Sequence, residues 1–493
     1  MKKCFKKMKI CLAVLLLSLT GAGCNSWLDL LPENDQTSDM YWNTKEDVEA
    51  VVMSVYTQSR SCLEKFIQWG ELRGDALALG AKATTEEQNI YELQILTTNS
   101  ICKWKDFYSV IGNANAVIKY GPTVLEKDPT FAPEVMNSYV GEAKFMRALA
   151  YFYLVRTFGE VPLVLEPYVD DEKEFTQAKV SEEAVLNQII ADLKEAVTKC
   201  KPGYGDVAKN KGRATCWAAY ALLADVYLWA ENYAGALEAC NKVITSGQYD
   251  LVSKSDWYTL FNPGNSNEGI FELQWKSPIS NNTNNLYNWF FGSARYALSY
   301  RSSELFSEMA ENDYRGVGAT YLEDKRIWKY AGKEISLDGA ATRASEDRNA
   351  NWIFYRYADV LLMKAEALVM GEKDYNGAWE LVKRIRERAG YSQHPGVPQE
   401  ERDALEMVMD ERQREFIAEG KRWFDILRMA KRNDYQYKDY LLDVILENVS
   451  AQLRPLYEAK LADVRGYYLP IHKDEIDANG GLLVQNPYYE DLE

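Results

Sequence analysis

The stretch from residue 352 to residue 430 constrains this chain most. It reads WIFYRYADVLLMKAEALVM, then KDYNGAWELVKRIRERAG, and after a loop it closes with DERQREFIAEGKRWFDILRMAKR. In the first segment Phe354, Ala358, Leu361, Leu362, Ala365 and Leu368 recur at spacings of three and four, so one apolar stripe runs along a helix and needs a partner. The next segment supplies one. Ala378, Leu381, Val382, Ile385 and Ala389 keep the spacing, Lys383, Arg384, Arg386 and Arg388 fill most of the other face, and Gly390 is placed to cap the C-terminus. Two helices joined by a short turn form one unit of a helical repeat.

A second such pair begins at residue 213, RATCWAAYALLADVYLWAENYAGALEACNKVI. Its turn aligns with the first: Asn232, Tyr233 and Ala236 fall where Asp374, Tyr375 and Ala378 fall. An aromatic, two residues and an alanine resembles the helix-turn-helix of the tetratricopeptide repeat, where the small residue lets two helices approach. Other helices are expected after Thr44, whose spacing to Asp47 makes a capping box, from Trp104, over 138–158 up to Gly159 and Pro162, and from Ser181 to Cys200. Residues 63–100 show mixed polarity without sustained period, and the triplet Arg73, Gly74, Asp75 within them reads as a turn.

The first 23 residues differ from the rest. Five lysines precede an apolar run from Ile10 to Leu19, and small residues lead to Cys24. A run of about ten residues is too short to span a membrane. The pattern resembles a bacterial lipoprotein signal that leaves Cys24 as the lipidated first residue; an ordinary secretory signal is the alternative. The whole chain carries a net charge of −16, and removing those lysines makes it more acidic still, which argues against nucleic acid as a partner. Cys62, Cys102, Cys200, Cys216 and Cys240 then remain, an odd number that makes no disulfide scaffold. Cys216 and Cys240 lie in helical patterns and read as small core residues.

Between the two helix pairs the pattern fails. Over 251–350 Asn, Gly, Ser and Pro interrupt short aromatic runs, and a loop that long in a compact protein is usually functional. Ile270 to Trp275 reads as a short strand. Trp257, Trp275, Trp289 and Trp328, with Tyr287, Tyr296 and Tyr300, offer apolar faces beside Asn and Arg side chains, which suits a ligand with apolar faces and hydroxyl or amide edges. The other reading is that these rings pack the insertion onto the helices.

Six segments in order, from WLDLLPENDQTSDMYWNTKEDVEAVVMSVY after Cys24 through RALAYFYLVRTFGEVPLV, RATCWAAYALLADVYL, YRYADVLLMKAEAL and ERQREFIAEGKRWFDILR to YYLPIHKDEIDANGGLLVQNP, resemble the SusD/RagB family of Bacteroidetes outer-membrane lipoproteins. The resemblance implies a mainly α fold with a tetratricopeptide-like scaffold and an irregular, aromatic-rich binding insertion. It also implies a surface-exposed lipid anchor in the outer membrane and a SusC-like TonB-dependent transporter as partner. The expected organisation is a signal peptide over 1–23, an extended tether over 24–43, a helical region over 44–250, the insertion over 251–350, and a helical region with its tail over 351–493. Glu411 with Arg414, Glu419 with Arg422 and Asp425 with Arg428 sit three apart and are expected to pair along a helix as scaffold.

No family motif identifies ligand contacts. Residue type and loop context select Trp69, Asn89, Tyr91, Tyr287, Trp289, Arg295, Tyr296 and Trp328. Catalysis finds little support: the two histidines, His394 and His472, have no metal-ligand spacing, and no GxSxG, phosphate loop or EF-hand spacing occurs, so neither cofactor nor metal is expected. The expected function is non-enzymatic capture of oligosaccharides for a partner barrel. A peptide-binding RagB-like receptor and a scaffold for protein partners alone are the alternatives.

Overall fold

The computed structural model describes residues 41–167, 176–275, 283–307, 313–344, 347–391 and 395–490. The signal segment, Cys24, the tether up to residue 40 and His394 lie outside the described residues. Met1–Asn43 separates as a unit of its own, and the account below concerns Thr44–Glu493.

The second unit is mainly α-helical. Its principal helices are α1 (Lys45–Ser59), α2 (Leu63–Glu71), α3 (Thr85–Tyr91), α4 (Lys105–Tyr120), α5 (Pro133–Phe158), α6 (Glu182–Lys199), α7 (Cys216–Trp229), α8 (Tyr233–Thr245), α9 (Tyr357–Ala367), α10 (Tyr375–Arg388), α11 (Glu401–Phe416), α12 (Arg422–Tyr435) and α13 (Arg454–Leu461). Thr44 and Asp47 close the capping box on α1, and the Ser181 hydroxyl accepts from the Ala184 amide at the start of α6. The long α5 is buried on every side from Ser138 to Phe158 apart from Lys144, with α4 and α6 packed against it.

Two helical hairpins, α7–α8 and α9–α10, share one turn geometry. Glu231 and Lys373 both adopt left-handed backbone (φ +57° and +55°), and the next residues, Asn232 and Asp374, cap α8 and α10 by accepting from the amides of Gly235 (3.0 Å) and Gly377 (2.8 Å). The hairpins pack side by side through α8 and α9. A Cβ on Gly371 would lie 2.8 Å from Cβ of Tyr233, so the glycine is what lets the turns touch.

Among the described residues three two-stranded antiparallel ribbons accompany the helices. They pair β1 (Leu77–Leu79) with β5 (Tyr296–Leu298), β2 (Val161–Pro162) with β3 (Lys179–Val180), and β4 (Gly269–Leu273) with β6 (Trp352–Arg356). The last ribbon corrects the expectation of one helix from 352 onward. Trp352 to Arg356 are all buried and pair with an equally buried β4, so an aromatic and β-branched run takes a strand and the helix starts only at Tyr357. Residues 63–100 likewise hold two helices, α2 and α3. α2 carries Leu63, Phe66 and Ile67 at helical spacing but spans only nine residues, and α3 spans two turns, so neither sustains a period along the segment.

The expected Glu419–Arg422 pair does not form. Ile417 ends α11, Ala418 and Gly420 are left-handed (φ +65° and +70°), and the two side chains turn to different elements: Glu419 to Lys329 and Arg356, Arg422 to Asp75. The other two pairs exist, at 3.6 Å for Arg414–Glu411 and 2.8 Å for Arg428–Asp425, but both are buried and belong to a larger network. In it the insertion is fastened to α11 and the turn after it: Arg356 reaches Glu268 at 2.6 Å and Glu419 at 3.1 Å, Lys329 reaches Glu419 at 2.9 Å, and Arg315 reaches Glu411 and Glu415 at 2.7 Å each. The Arg73-Gly74-Asp75 turn is interior as well, with Asp75 held by Arg422 and Arg301. All five described cysteines are free and buried. No helix among the described residues is long and apolar enough to cross a membrane.

Candidate functional site

The site builds outward from Glu87. Thr84 and Glu87 form a capping box on α3: the Thr84 side chain accepts from the Glu87 amide (3.2 Å), and the Glu87 carboxylate accepts from the Thr84 amide (2.8 Å). The same carboxylate, fully buried, accepts two hydrogen bonds from Arg295, with Nε to Oε2 at 3.0 Å, and one from the Tyr296 hydroxyl. Burial works against its ionisation, yet the bonds from Arg295, Thr84 and Tyr296 hold the carboxyl below its ordinary range. Arg295 also reaches Glu64 at 2.7 Å. One carboxylate thus caps a helix of the N-terminal region and holds the insertion to it.

The backbone repeats this joint. β1 runs into α3 and pairs with β5, with Leu79 opposite Tyr296, and the Gly80 amide donates to the Arg295 carbonyl at 2.7 Å. A Cβ on Gly80 would stand 2.3 Å from the Ala294 carbonyl oxygen, so only glycine allows the approach.

Just before β5 the chain makes a π-helical turn, Asn288–Gly292, a geometry often found at functional sites. Three rings and three guanidinium groups meet there. Arg348 lies over Tyr287 at 3.9 Å, Arg295 over Trp289 at 5.7 Å and Arg326 over Phe291 at 4.0 Å. Tyr287 and Phe291 are half-buried, and Trp289 is 8% exposed. From Phe290 a ladder of near-parallel rings runs inward through Tyr330 and Trp352 to Phe66. The turn therefore stands on the core.

The structure brings Tyr287, Trp289, Arg295 and Tyr296 together at this turn, with Tyr296 buried beneath it on Glu87. Asn89 and Tyr91 follow on α3 and line two adjoining clefts, of about 520 and 210 Å³, that share Leu93. Helix α13 closes these from the other side: the Tyr457 hydroxyl donates to the Tyr91 carbonyl (3.3 Å), and the Lys460 ammonium to that of Leu93 (2.8 Å).

Two more of the selected residues are fully buried, one away from the turn and one behind it. Trp69 has no exposed surface; it stacks on Phe107 at 4.6 Å and its indole N–H donates to the Ile101 carbonyl. Trp328 is equally buried, donates to the Glu334 carbonyl and meets Phe291 edge-on at 5.3 Å, so it backs the turn from inside. Sequence reasoning missed Glu87, Glu64, Phe291, Arg326 and Arg348. The Thr84-to-Glu87 spacing was a visible capping signal, whereas its bond to Arg295 joins residues 208 apart. Among the described residues no group of three or more metal-ligating side chains comes together.

The chain matches two family models: one described as SusD family over residues 324–489, the other as starch-binding associating with outer membrane over residues 26–228. A SusD-like protein of Formosa agariphila is 28% identical over 490 residues, covering 87% of this chain and 93% of that one. A SusD-like protein of Bacteroides ovatus is 24% identical over 540 residues, covering 98% and 92%. The crystal structure of a SusD superfamily protein from Bacteroides vulgatus superposes with a TM-score of 0.76 at 23% identity, over 91% of this chain and 99% of that one.

Proposed function

Because the chain belongs to the SusD/RagB family, we propose that it is a lipid-anchored outer-membrane protein that captures oligosaccharides at the cell surface and passes them to a SusC-like TonB-dependent transporter. One observation carries the reading: an aromatic turn, Tyr287 to Phe291, rigidly joined through Glu87 to the helix that bears Asn89 and Tyr91. Sugar rings present C–H faces that pack on aromatic rings and hydroxyl edges that need donors and acceptors. Tyr287 and Phe291 supply exposed ring surface, and Asn89, Asn288 and Arg295 supply the polar edge. In this reading Tyr296 and Trp328 hold the turn in shape from beneath, Trp69 packs the core away from it, the two hairpins act as a tetratricopeptide-like scaffold, and docking on the barrel traps the ligand. It is a binding function without chemistry on the ligand.

A calorimetric screen of the full chain against neutral and acidic oligosaccharides and mixed peptides tests it. Binding to a saccharide class that weakens at least about tenfold in Tyr287→Ala and Trp289→Ala, with transporter co-purification retained, is the expected result. Peptide binding alone would move the protein to peptide capture, and a chain that binds neither saccharide nor peptide would be a scaffold.

A further inference from the structure

Three arginines cover the turn from Tyr287 to Phe291, and they are not equivalent. Arg295 is neutralised by Glu87 and Glu64, and Arg326 by Asp324 at 2.7 Å. Arg348 is joined to no carboxylate among the described residues, and its buried Nε has no hydrogen-bond partner. Half-buried Arg348 differs from Arg147, Arg315, Arg356, Arg422 and Arg428, which each hold a carboxylate, and from Arg73 and Arg343, which hold none but donate to the carbonyls of Tyr467 and Phe261. Leaving a guanidinium unpaired and partly desolvated carries a cost that a ligand can offset.

Its position is fixed. The Asn284 amide donates to the Arg348 carbonyl at 2.9 Å, and the guanidinium lies 3.9 Å over the Tyr287 ring. A planar guanidinium held against a ring keeps its fork of N–H donors pre-oriented, which suits the two oxygens of a carboxylate or a sulfate. The protein as a whole has net charge −16 and therefore repels polyanions at long range. Attraction to an anionic group has to be local, at one such cation.

We propose that the saccharide held at this turn carries an anionic group, a ring carboxylate or a sulfate ester, and that Arg348, laid on Tyr287, is the residue that receives it. The inference rests on the glycan-binding reading and sharpens it: it makes Arg348 the discriminator between acidic and neutral sugars.

The test is calorimetric titration of the full chain with two matched pairs: a hexuronate oligosaccharide against its methyl ester, and a sulfated galactan oligosaccharide against its desulfated form. In one pair the charged member should bind about tenfold more tightly or better, the size expected for a charge-assisted hydrogen bond, and the advantage should shrink as salt is raised. The pair that shows it identifies carboxylate or sulfate as the group. Arg348→Gln should bring the two members within about twofold of one another, and Arg348→Lys should keep part of the preference because the charge remains. Equal binding of charged and neutral members, or a preference that survives Arg348→Gln with the thermal unfolding midpoint unchanged, overturns this proposal and leaves glycan capture standing. Failure of every saccharide to bind overturns both.

Discussion

Arg356 has no exposed surface and stands among Glu268, Glu415 and Glu419, so its removal would leave three buried carboxylates with too little positive charge between them. Breaking a buried ionic cluster from one side typically costs about 3–5 kcal/mol. Arg356→Met should therefore lose stability of that order in urea unfolding, and a loss below about 1 kcal/mol would show the cluster to be dispensable. Acid should act on the same cluster. Burial by itself raises the Glu411 carboxyl, but the guanidinium groups of Arg315, Arg386 and Arg414 outweigh it and hold it at about 2, well below its ordinary 4.5. A carboxyl depressed in the folded state contributes stability that is complete above its unfolded value and is lost as pH falls through the folded one. Stability should thus decline between pH 4.5 and 2, by on the order of 3 kcal/mol from this group. Glu411→Gln should be less stable at neutral pH and flatter across that window in thermal unfolding; a parallel slope would remove Glu411 from the account.

The turn after α11 shows how two elements can depend on one missing atom. A Cβ on Gly70 would lie 2.0 Å from the Gly420 carbonyl oxygen, and Gly420 itself is left-handed, its amide donating to Glu71 at 2.8 Å. Gly70→Ala should push α2 from this turn and strain the Asp75–Arg422 pair just beyond it. Overpacking of this kind costs about 1–3 kcal/mol or more, so chemical unfolding of the variant should reveal a loss in that range; wild-type stability would mean that the helix shifts freely. At this scale the sequence was legible wherever an element obeys its own period. The two hairpins could be aligned from Asn232 and Asp374 because a capped helix with one apolar stripe carries its signature locally. β6 could not be separated from α9, because Trp352, Ile353 and Phe354 are buried in a ribbon whose other strand lies some eighty residues earlier and whose apolar run suits either state. The site divides the same way. Tyr287, Trp289, Arg295 and Tyr296 are close along the chain and could be grouped by composition, while Glu87 and Arg348 owe their roles to neighbours that only the fold supplies.

Across the unit Thr44–Glu493 the C-terminal tail closes over its N-terminal helices. The Tyr467 carbonyl accepts from buried Arg73, the Leu469 amide donates to the Thr157 carbonyl at 2.8 Å, the Lys473 amide to that of Thr97 at 2.9 Å, and Glu475 accepts from the Trp104 amide at 3.2 Å. A chain ending at residue 466 should lose these and unfold at a lower temperature by circular dichroism, although it keeps both hairpins and the aromatic turn; an unchanged midpoint would show the tail to be ornamental.

The Asp75–Arg422 pair has a consequence for how the protein is made. The partners lie 347 residues apart, and at the usual 5–20 residues per second the carboxylate leaves the ribosome roughly 20 to 70 seconds before its guanidinium. Until then Asp75 has only Arg301 to meet it, itself made long after the carboxylate, so this buried corner is completed from the C-terminal side.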